Sequence, residues 1–471
     1  MTEYDLIVLG AGPVGENVAD FAVKGGLSAV LVEHELVGGE CSYWACMPSK
    51  ALLRPAEALR AARNVAGAAE AVTGTLDLAA VLKRRDSFTN NWSDDGQVDW
   101  VRGAGIGLVR GHGRLTGVKH VAVTGPDGGE TVLTARHAVA VATGSDALVP
   151  DIDGLRDARP WTSREATSAK EVPGRLAIIG GGVVATEMAT AYAGFGSQVT
   201  LIARSGLLAG MEPFAGEAVA AALREQGATV LLNTQTTRVT RAASGQVTLE
   251  TNDGRTIVAD EVLVATGRTP RTRDIGLDTV GLEPGEWLSV DDTMRVPGYA
   301  WLYAVGDVNH RVLLTHQGKY QARAAGDLIA ARAGGRAVDD GAWGRHVATS
   351  DHEAVPQVIF TEPEVASVGL TARAARTAGY EVRVVDYEIG DVAGAGVRQD
   401  GYRGTARMVV DQQRKVVLGA TLVGPDVGEM LHAATVAVVG QVPIARLWHA
   451  VPSYPTVSEV WLRLLEAYGR P

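Results

Sequence analysis

The chain of 471 residues carries a formal net charge of −10 and is 46% hydrophobic. A nucleic-acid partner needs clustered lysine and arginine, and an acidic chain without long single-sign runs points instead to small-molecule partners. No apolar run approaches the ~18 residues of a membrane span, and Met1-Thr2-Glu3-Tyr4-Asp5 lacks the basic start of a signal peptide, so the cytoplasm is the expected compartment.

Leu6-Ile7-Val8-Leu9 reads as a buried strand that feeds Gly10-Ala11-Gly12-Pro13-Val14-Gly15, a helical stretch, a second strand Ala29-Val30-Leu31-Val32, and then Glu33. This is a full dinucleotide-binding unit. The first glycine makes the tight turn, the second admits a pyrophosphate to the helix N-terminus, and the third packs helix on strand. Glu33 is placed to take ribose hydroxyls.

The stretch that follows, Gly38-Gly39-Glu40-Cys41-Ser42-Tyr43-Trp44-Ala45-Cys46-Met47-Pro48-Ser49-Lys50, holds both cysteines of the chain. Alone, the pair fits an inert buried couple as well as a redox couple. Its place next to a nucleotide site favours redox. A persisting disulfide in the cytoplasm is more often catalytic than structural.

A second nucleotide unit begins at Leu176-Ala177-Ile178-Ile179, with Gly180-Gly181-Gly182-Val183-Val184-Ala185, a helix from Thr186 and a strand Val199-Thr200-Leu201-Ile202. Two dinucleotides imply electrons passing between them, with a flavin at the first unit and a nicotinamide at the second. Where an acid would accept the 2′-hydroxyl of NADH stand Ala203 and Arg204, and a guanidinium pairs with a 2′-phosphate, which selects NADPH over NADH. Glu187, just inside the second helix, reads from sequence as an acid that complements the macrodipole. Ala142-Thr143-Gly144-Ser145 and Ala265-Thr266-Gly267-Arg268 form a near-repeat after apolar runs, and both are expected domain boundaries. Leu302-Tyr303-Ala304-Val305-Gly306-Asp307-Val308 adds a strand and a Gly-Asp turn suited to holding a polyol chain.

These motifs, in this order, resemble the FAD-dependent pyridine nucleotide–disulfide oxidoreductases, the group of dihydrolipoamide dehydrogenase, glutathione and mycothione reductases and mercuric reductase. The resemblance spans essentially the whole chain. It implies an α/β fold of two Rossmann-like dinucleotide-binding domains plus a C-terminal α+β dimerisation domain. The expected boundaries are an FAD domain at 1–145 resumed at 269–344, an NADPH domain at 146–268 and an interface domain at 345–471, where Val358 to Gly369 is close to the family pattern. A homodimer follows, each site borrowing C-terminal residues from the other chain.

By the same resemblance, Cys41 is the interchange thiol and Cys46 the thiol facing the flavin. Lys50 and Glu187 pair beside flavin N5. Gly10, Gly12, Pro13, Gly15, Gly39, Thr143, Gly144 and Gly306 line the FAD site, with Glu33 and Asp307 on its ribose and ribityl–phosphate regions. Leu314-Thr315-His316-Gln317 begins the helix beneath the flavin ring. Gly180, Gly182, Val183, Val184, Glu187, Arg204 and Gly267 serve NADPH, and no metal site is implied.

Two departures bear on the substrate. Where the family's disulfide reductases carry His-Pro-Thr-x-x-Glu, this chain reads Tyr454-Pro455-Thr456-Val457-Ser458-Glu459, and an ordinary tyrosine is a poor proton acceptor at neutral pH. His449 reads as a surface or packing residue. Mercuric reductases also carry tyrosine in this region, but they need C-terminal cysteines that this chain lacks. Glu40 stands in place of the usual threonine, where its charge disfavours a neighbouring thiolate, and Tyr43-Trp44 replace smaller residues as packing or as a stacking surface.

The leading expectation is hydride transfer from NADPH to FAD and on to Cys41–Cys46, which reduces a small disulfide. A quinone, dye or metal-ion reductase with secondary thiols is the alternative. A non-enzymatic flavin redox sensor is the third reading, and the retained nicotinamide glycines and Lys50 argue against it.

Overall fold

A computed structural model describes residues 2–470. The chain separates into two compact units. One comprises the chain up to Pro48, Asp86–Ala147 and Arg268–His352, and the other Ser49–Arg85, Leu148–Gly267 and the chain from Glu353 on.

The first unit is built on a seven-stranded sheet in the order Gly107–Arg110, Ala29–Glu33, Thr2–Leu9, Glu130–Val141, His120–Thr124, His112–Gly117, with Leu302–Ala304 also paired to Glu130–Val141. Thr2–Leu9 runs parallel to both of its neighbours. Leu6, Ile7 and Val8 are fully buried, as a strand covered on both faces requires, so the sequence shows an unbroken apolar run and not an alternation. The helix Pro13–Lys24 starts on a proline, whose missing N–H costs nothing at a first helical position. It packs against the helix Thr315–Ala333 so closely that a side chain at Gly326 would meet Phe21 Cβ at 2.7 Å.

The second unit contains a four-stranded parallel sheet in the order Thr229–Leu231, Gln198–Ile202, Arg175–Ile179, Glu261–Val264. Its first helix, Val183–Gly194, begins directly after the glycines and not at Thr186, because Thr186 N already donates to Gly182 O at 3.0 Å. A five-stranded antiparallel sheet follows, centred on Val416–Gly424, a strand buried at every residue. Ser49–Arg85 joins this unit through Arg85. That side chain is fully buried and donates to Thr167 O and, at 2.8 Å, to Ala169 O, closing the end of the helix Ser163–Ser168.

Candidate active site

Both nucleotide turns close in the same way. Gly10 has φ +99°, and a Cβ there would lie 2.5 Å from Ala142 O; Gly180 has φ +140°, and its Cβ would lie 2.2 Å from Ala265 O. Only glycine lets each strand end rest on the neighbouring Ala-Thr-Gly turn. Beyond them the backbone is open: a Cβ on Gly182 would meet nothing within 4 Å, and one on Gly12 only Gly39 Cα at 3.9 Å. The unpaired N–H groups at the starts of Pro13–Lys24 and Val183–Gly194 border these spaces, as anion sites at helix N-termini do.

Glu33 ends the strand Ala29–Glu33, and its buried carboxylate accepts from Ala11 N and Glu35 N, both at 2.8 Å. Each oxygen keeps a second lone pair for a ribose hydroxyl. Asp307 accepts from Ser145 Oγ at 2.6 Å and faces Arg268 Nε at 3.7 Å. Thr143 Oγ1 is buried with no hydrogen-bond partner among the described residues, which marks a place for an absent acceptor or donor.

Gly38 and Gly39, with φ +106° and +54°, turn the chain into the short helix Gly39–Tyr43, and the long helix Cys46–Arg63 follows. Both cysteines are thiols. Cys46 Sγ lies 3.4 Å from Thr315 Oγ1. The hydrogen bond to Cys46 and then burial push the Cys41 thiol well up, while Thr315 and Lys319 pull it the other way. Cys46 stands at the first position of the helix Cys46–Arg63, and a helix N-terminus is a setting that favours thiol reactivity.

Glu40 does not face the thiols unopposed. Arg271 Nη2 contacts its carboxylate at 3.3 Å and that of Asp146 at 2.6 Å, so one guanidinium is shared by two carboxylates and offsets the charge of Glu40 only in part. Tyr43 is packing: it is 1% exposed, and its hydroxyl donates to Val37 O at 3.1 Å. Trp44 stands edge-on to it, with ring centroids 5.6 Å apart.

In the second unit Lys50 Nζ donates to Glu187 Oε2 at 2.8 Å, and Phe360 N donates to Glu187 Oε1 at 3.0 Å. Lys50 also lies 4.9 Å from the centroid of the Phe360 ring. Glu187 is thus a buried partner of a lysine one helical turn beyond Cys46, where sequence alone offered a dipole role. Val183 and Val184 open the helix after Gly182. Arg204, just past the strand Gln198–Ile202, is exposed and makes no ion pair among the described residues.

The C-terminal residues belong to the second unit. Tyr454 is 75% exposed and His449 is also exposed. Glu459 is buried; its Oε1 accepts from Arg463 Nη2 at 2.5 Å, and its Oε2 has no partner among the described residues. Arg271 and Phe360 were not foreseen, because each reaches its partner across the fold. The Thr456-to-Glu459 spacing gives no hint of Arg463 either, although an i,i+4 acid–arginine pair is legible once a helical turn is assumed.

Two nucleotide turns, a cysteine pair at a helix start and a lysine paired with a buried glutamate describe a two-nucleotide redox enzyme. Residues 4–323 match the pyridine nucleotide-disulphide oxidoreductase family, and residues 355–464 match that family's dimerisation domain. The mercuric reductase of Staphylococcus aureus is 31% identical over 463 residues, covering 97% of this chain and 81% of its own. The dihydrolipoyl dehydrogenase of Chlorobaculum tepidum is 33% identical over 467 residues, covering 97% and 95%. The fold is shared with the Cu(II) complex of the HOCl-induced flavoprotein disulfide reductase RclA of Escherichia coli, at a TM-score of 0.84 and 24% identity over 99% of both chains. The chain belongs to the pyridine nucleotide–disulfide oxidoreductase family, whose enzymes use FAD and NAD(P)H. The orphan Thr143 hydroxyl and the open backbone at Gly12 fit such a cofactor. No helix among the described residues is long and apolar enough to cross a membrane.

Proposed function

We propose that the chain is a cytoplasmic NADPH-dependent reductase of small disulfides, working as a homodimer. Residues 1–145 and 269–344 hold FAD, 146–268 hold NADPH, and 345–471 join two chains. The thiol pair carries the reading: Cys46 stands at a helix N-terminus against Thr315, with Cys41 beside it. When bound, FAD supplies a two-electron link between the nicotinamide and the cysteines.

Gly10, Gly12, Pro13, Gly15, Gly39, Thr143, Gly144, Gly306, Leu314, Thr315 and His316 frame that cofactor, and Glu33 and Asp307 take its hydroxyls. Lys50, held by Glu187, keeps a positive charge one turn from Cys46. Gly180, Gly182, Val183, Val184 and Gly267 receive NADPH, and the unpaired guanidinium of Arg204 supports a 2′-phosphate. Cys41 attacks one substrate sulfur and forms a mixed disulfide. Cys46 then displaces the second thiol and restores Cys41–Cys46. Tyr454 and Glu459 of each chain serve the site of the other.

The test is turnover of a panel of disulfides and quinones by the unaltered protein and by Cys41→Ser, with NADPH and NADH compared. Disulfide turnover that disappears in Cys41→Ser supports the reading, and a protein that turns over no disulfide sinks it. The exposed Tyr454 favours a second reading, reduction of quinones, dyes or metal ions, since a phenol is a poor base for thiol exchange. Mercuric reductases among the relatives point the same way. Quinone turnover that survives in Cys41→Ser identifies it.

A further inference from the structure

Of the residues Ser42, Tyr43, Trp44 and Ala45 that link the two cysteines, the middle pair is aromatic, and neither nucleotide binding nor thiol exchange needs an aromatic there. What holds this linker is a second segment of the same unit, Asn90 to Gln97. Trp92 Nε1 donates to Tyr43 O at 3.2 Å. The Tyr43 hydroxyl lies 3.2 Å from Gln97 Oε1 and 3.4 Å from Ser93 O, besides its bond to Val37 O. Asp94 ties the same segment to the turn before the cysteines, accepting from Val37 N at 2.7 Å. A Cβ on Gly38 would meet Tyr43 Cε2 at 3.1 Å and Gln97 Cγ at 3.3 Å, so the segment is packed at contact against that turn.

The segment is strained where it delivers the tryptophan. Asn90, Asn91 and Trp92 have φ +47°, +52° and +58°, three left-handed residues in a row. Asparagine tolerates that region, but a bulky side chain there is an outlier of the kind that persists only where its surroundings hold it. Trp92 N donates to Thr89 O at 2.8 Å and Ser93 N to Asn90 O at 3.0 Å, which closes the turn and aims the indole N–H at Tyr43. Tyr43 ends the helix that carries Cys41, and Cys46 opens the next one. Fixing Tyr43 by its carbonyl and its hydroxyl therefore fixes the linker that decides how the two sulfurs meet. A linker held in one conformation loses little freedom when the disulfide closes, which raises the effective concentration of one thiol at the other.

We propose that Trp92 is a positioning residue for the redox couple: through Tyr43 it holds the Cys41–Cys46 linker in place for closure and so favours the disulfide over the dithiol. The inference rests on the reading of Cys41–Cys46 as a redox couple. Closure by glutathione disulfide, GSSG, shows where it acts. The Cys41 sulfur attacks GSSG, forming Cys41–SG and releasing one glutathione, which takes up the proton that Cys41 gave. Cys46 then displaces the second glutathione, which leaves with the Cys46 proton, and the Cys41–Cys46 bond forms. Two electrons pass from the cysteine pair to GSSG, and the second step is the one that a held linker favours.

The test is equilibration of the FAD-loaded protein with glutathione buffers, quenched with iodoacetamide. Because the chain has only two cysteines, its mass reads dithiol against disulfide directly. Trp92→Phe keeps a ring and removes the N–H, and Tyr43→Phe removes the hydroxyl. In each, the ratio [GSH]²/[GSSG] at the midpoint is expected to fall about 3–10-fold, the effect of one ordinary hydrogen bond on an equilibrium. Urea unfolding of the reduced proteins runs alongside. Lost stability with an unchanged or raised midpoint ratio is the mark of a packing role and overturns the proposal. If circular dichroism shows Trp92→Phe unfolded, Tyr43→Phe carries the test. A wild type that forms no intramolecular disulfide overturns the redox-couple reading and this proposal together; a wild type that forms one, with variants that match it, overturns this proposal alone.

Discussion

Cys46 and Thr315 meet at 3.4 Å although 269 residues separate them in sequence, and each stands at the first position of its own helix. The threonine hydroxyl is therefore a neutral hydrogen-bonding partner beside a sulfur at the start of another helix. Thr315→Val keeps the shape and removes the hydroxyl. Its expected effect is alkylation of Cys46 slowed several-fold, since a hydrogen bond to a charged group contributes about 1.5–3 kcal/mol and the contact is partly exposed. Timed iodoacetamide trapping of the reduced protein measures it, and unchanged rates would show that the hydroxyl plays no part.

Lys50→Met leaves the Glu187 carboxylate, 4% exposed, with Phe360 N as its remaining donor. Breaking a buried pair costs about 3–5 kcal/mol, and the lysine end here is 34% exposed, so a loss of about 1–3 kcal/mol is expected. Glu187→Gln in the same background should recover much of it, because an amide needs no counter-charge. Urea midpoints of the single and double variants give the answer.

Arg204→Ala tests the choice of nicotinamide. With the guanidinium removed, KM for NADPH should rise about 10–100-fold while KM for NADH changes little. Equal effects on both would assign Arg204 no role in reading the 2′-phosphate.

Stability should carry a signature of Glu364. Burial lifts this carboxyl from 4.5 to about 7, against the opposing hydrogen bond from Gly428 N. Between those values the folded chain holds a proton that the unfolded chain has released, so stability falls as pH rises through the window. Glu364→Gln, which still accepts from Gly428, should flatten the dependence and be more stable than wild type at pH 8 by about 1–3 kcal/mol. Urea unfolding at pH 5 and pH 8 decides it. Parallel curves for the two proteins would contradict the assignment.

What the sequence made legible was whatever depends on neighbours along the chain. Leu6 to Glu33 reads directly as strand, turn, helix, strand and acid, because each step is local and both faces of the sheet are covered. The second helix reads from Thr186 but begins at Val183, because the residues after the glycines look like part of the turn until Thr186 N is seen to donate to Gly182 O. What escaped was pairing across the fold. Nothing near Glu40 announces Arg271, and nothing near Glu187 announces Phe360, because such partners are set by how sheets and loops stack. Tyr43 reads from sequence as packing or as a stacking surface; its burial decides for packing, but its hydroxyl's partners at Val37 and Gln97 are disclosed by no pattern within the cysteine stretch.

The contacts of Gly10 with Ala142 and of Gly180 with Ala265 have a consequence for heredity. Any single-base change that replaces either glycine must add at least one carbon, and that carbon lands 2.5 Å or 2.2 Å from a carbonyl oxygen that belongs to backbone and cannot swing aside. In a saturation library both codons should be empty of survivors whether the selection is for turnover or merely for folded protein. The two positions thus record architecture and not chemistry, and they would stay fixed in a descendant that had lost both cysteines.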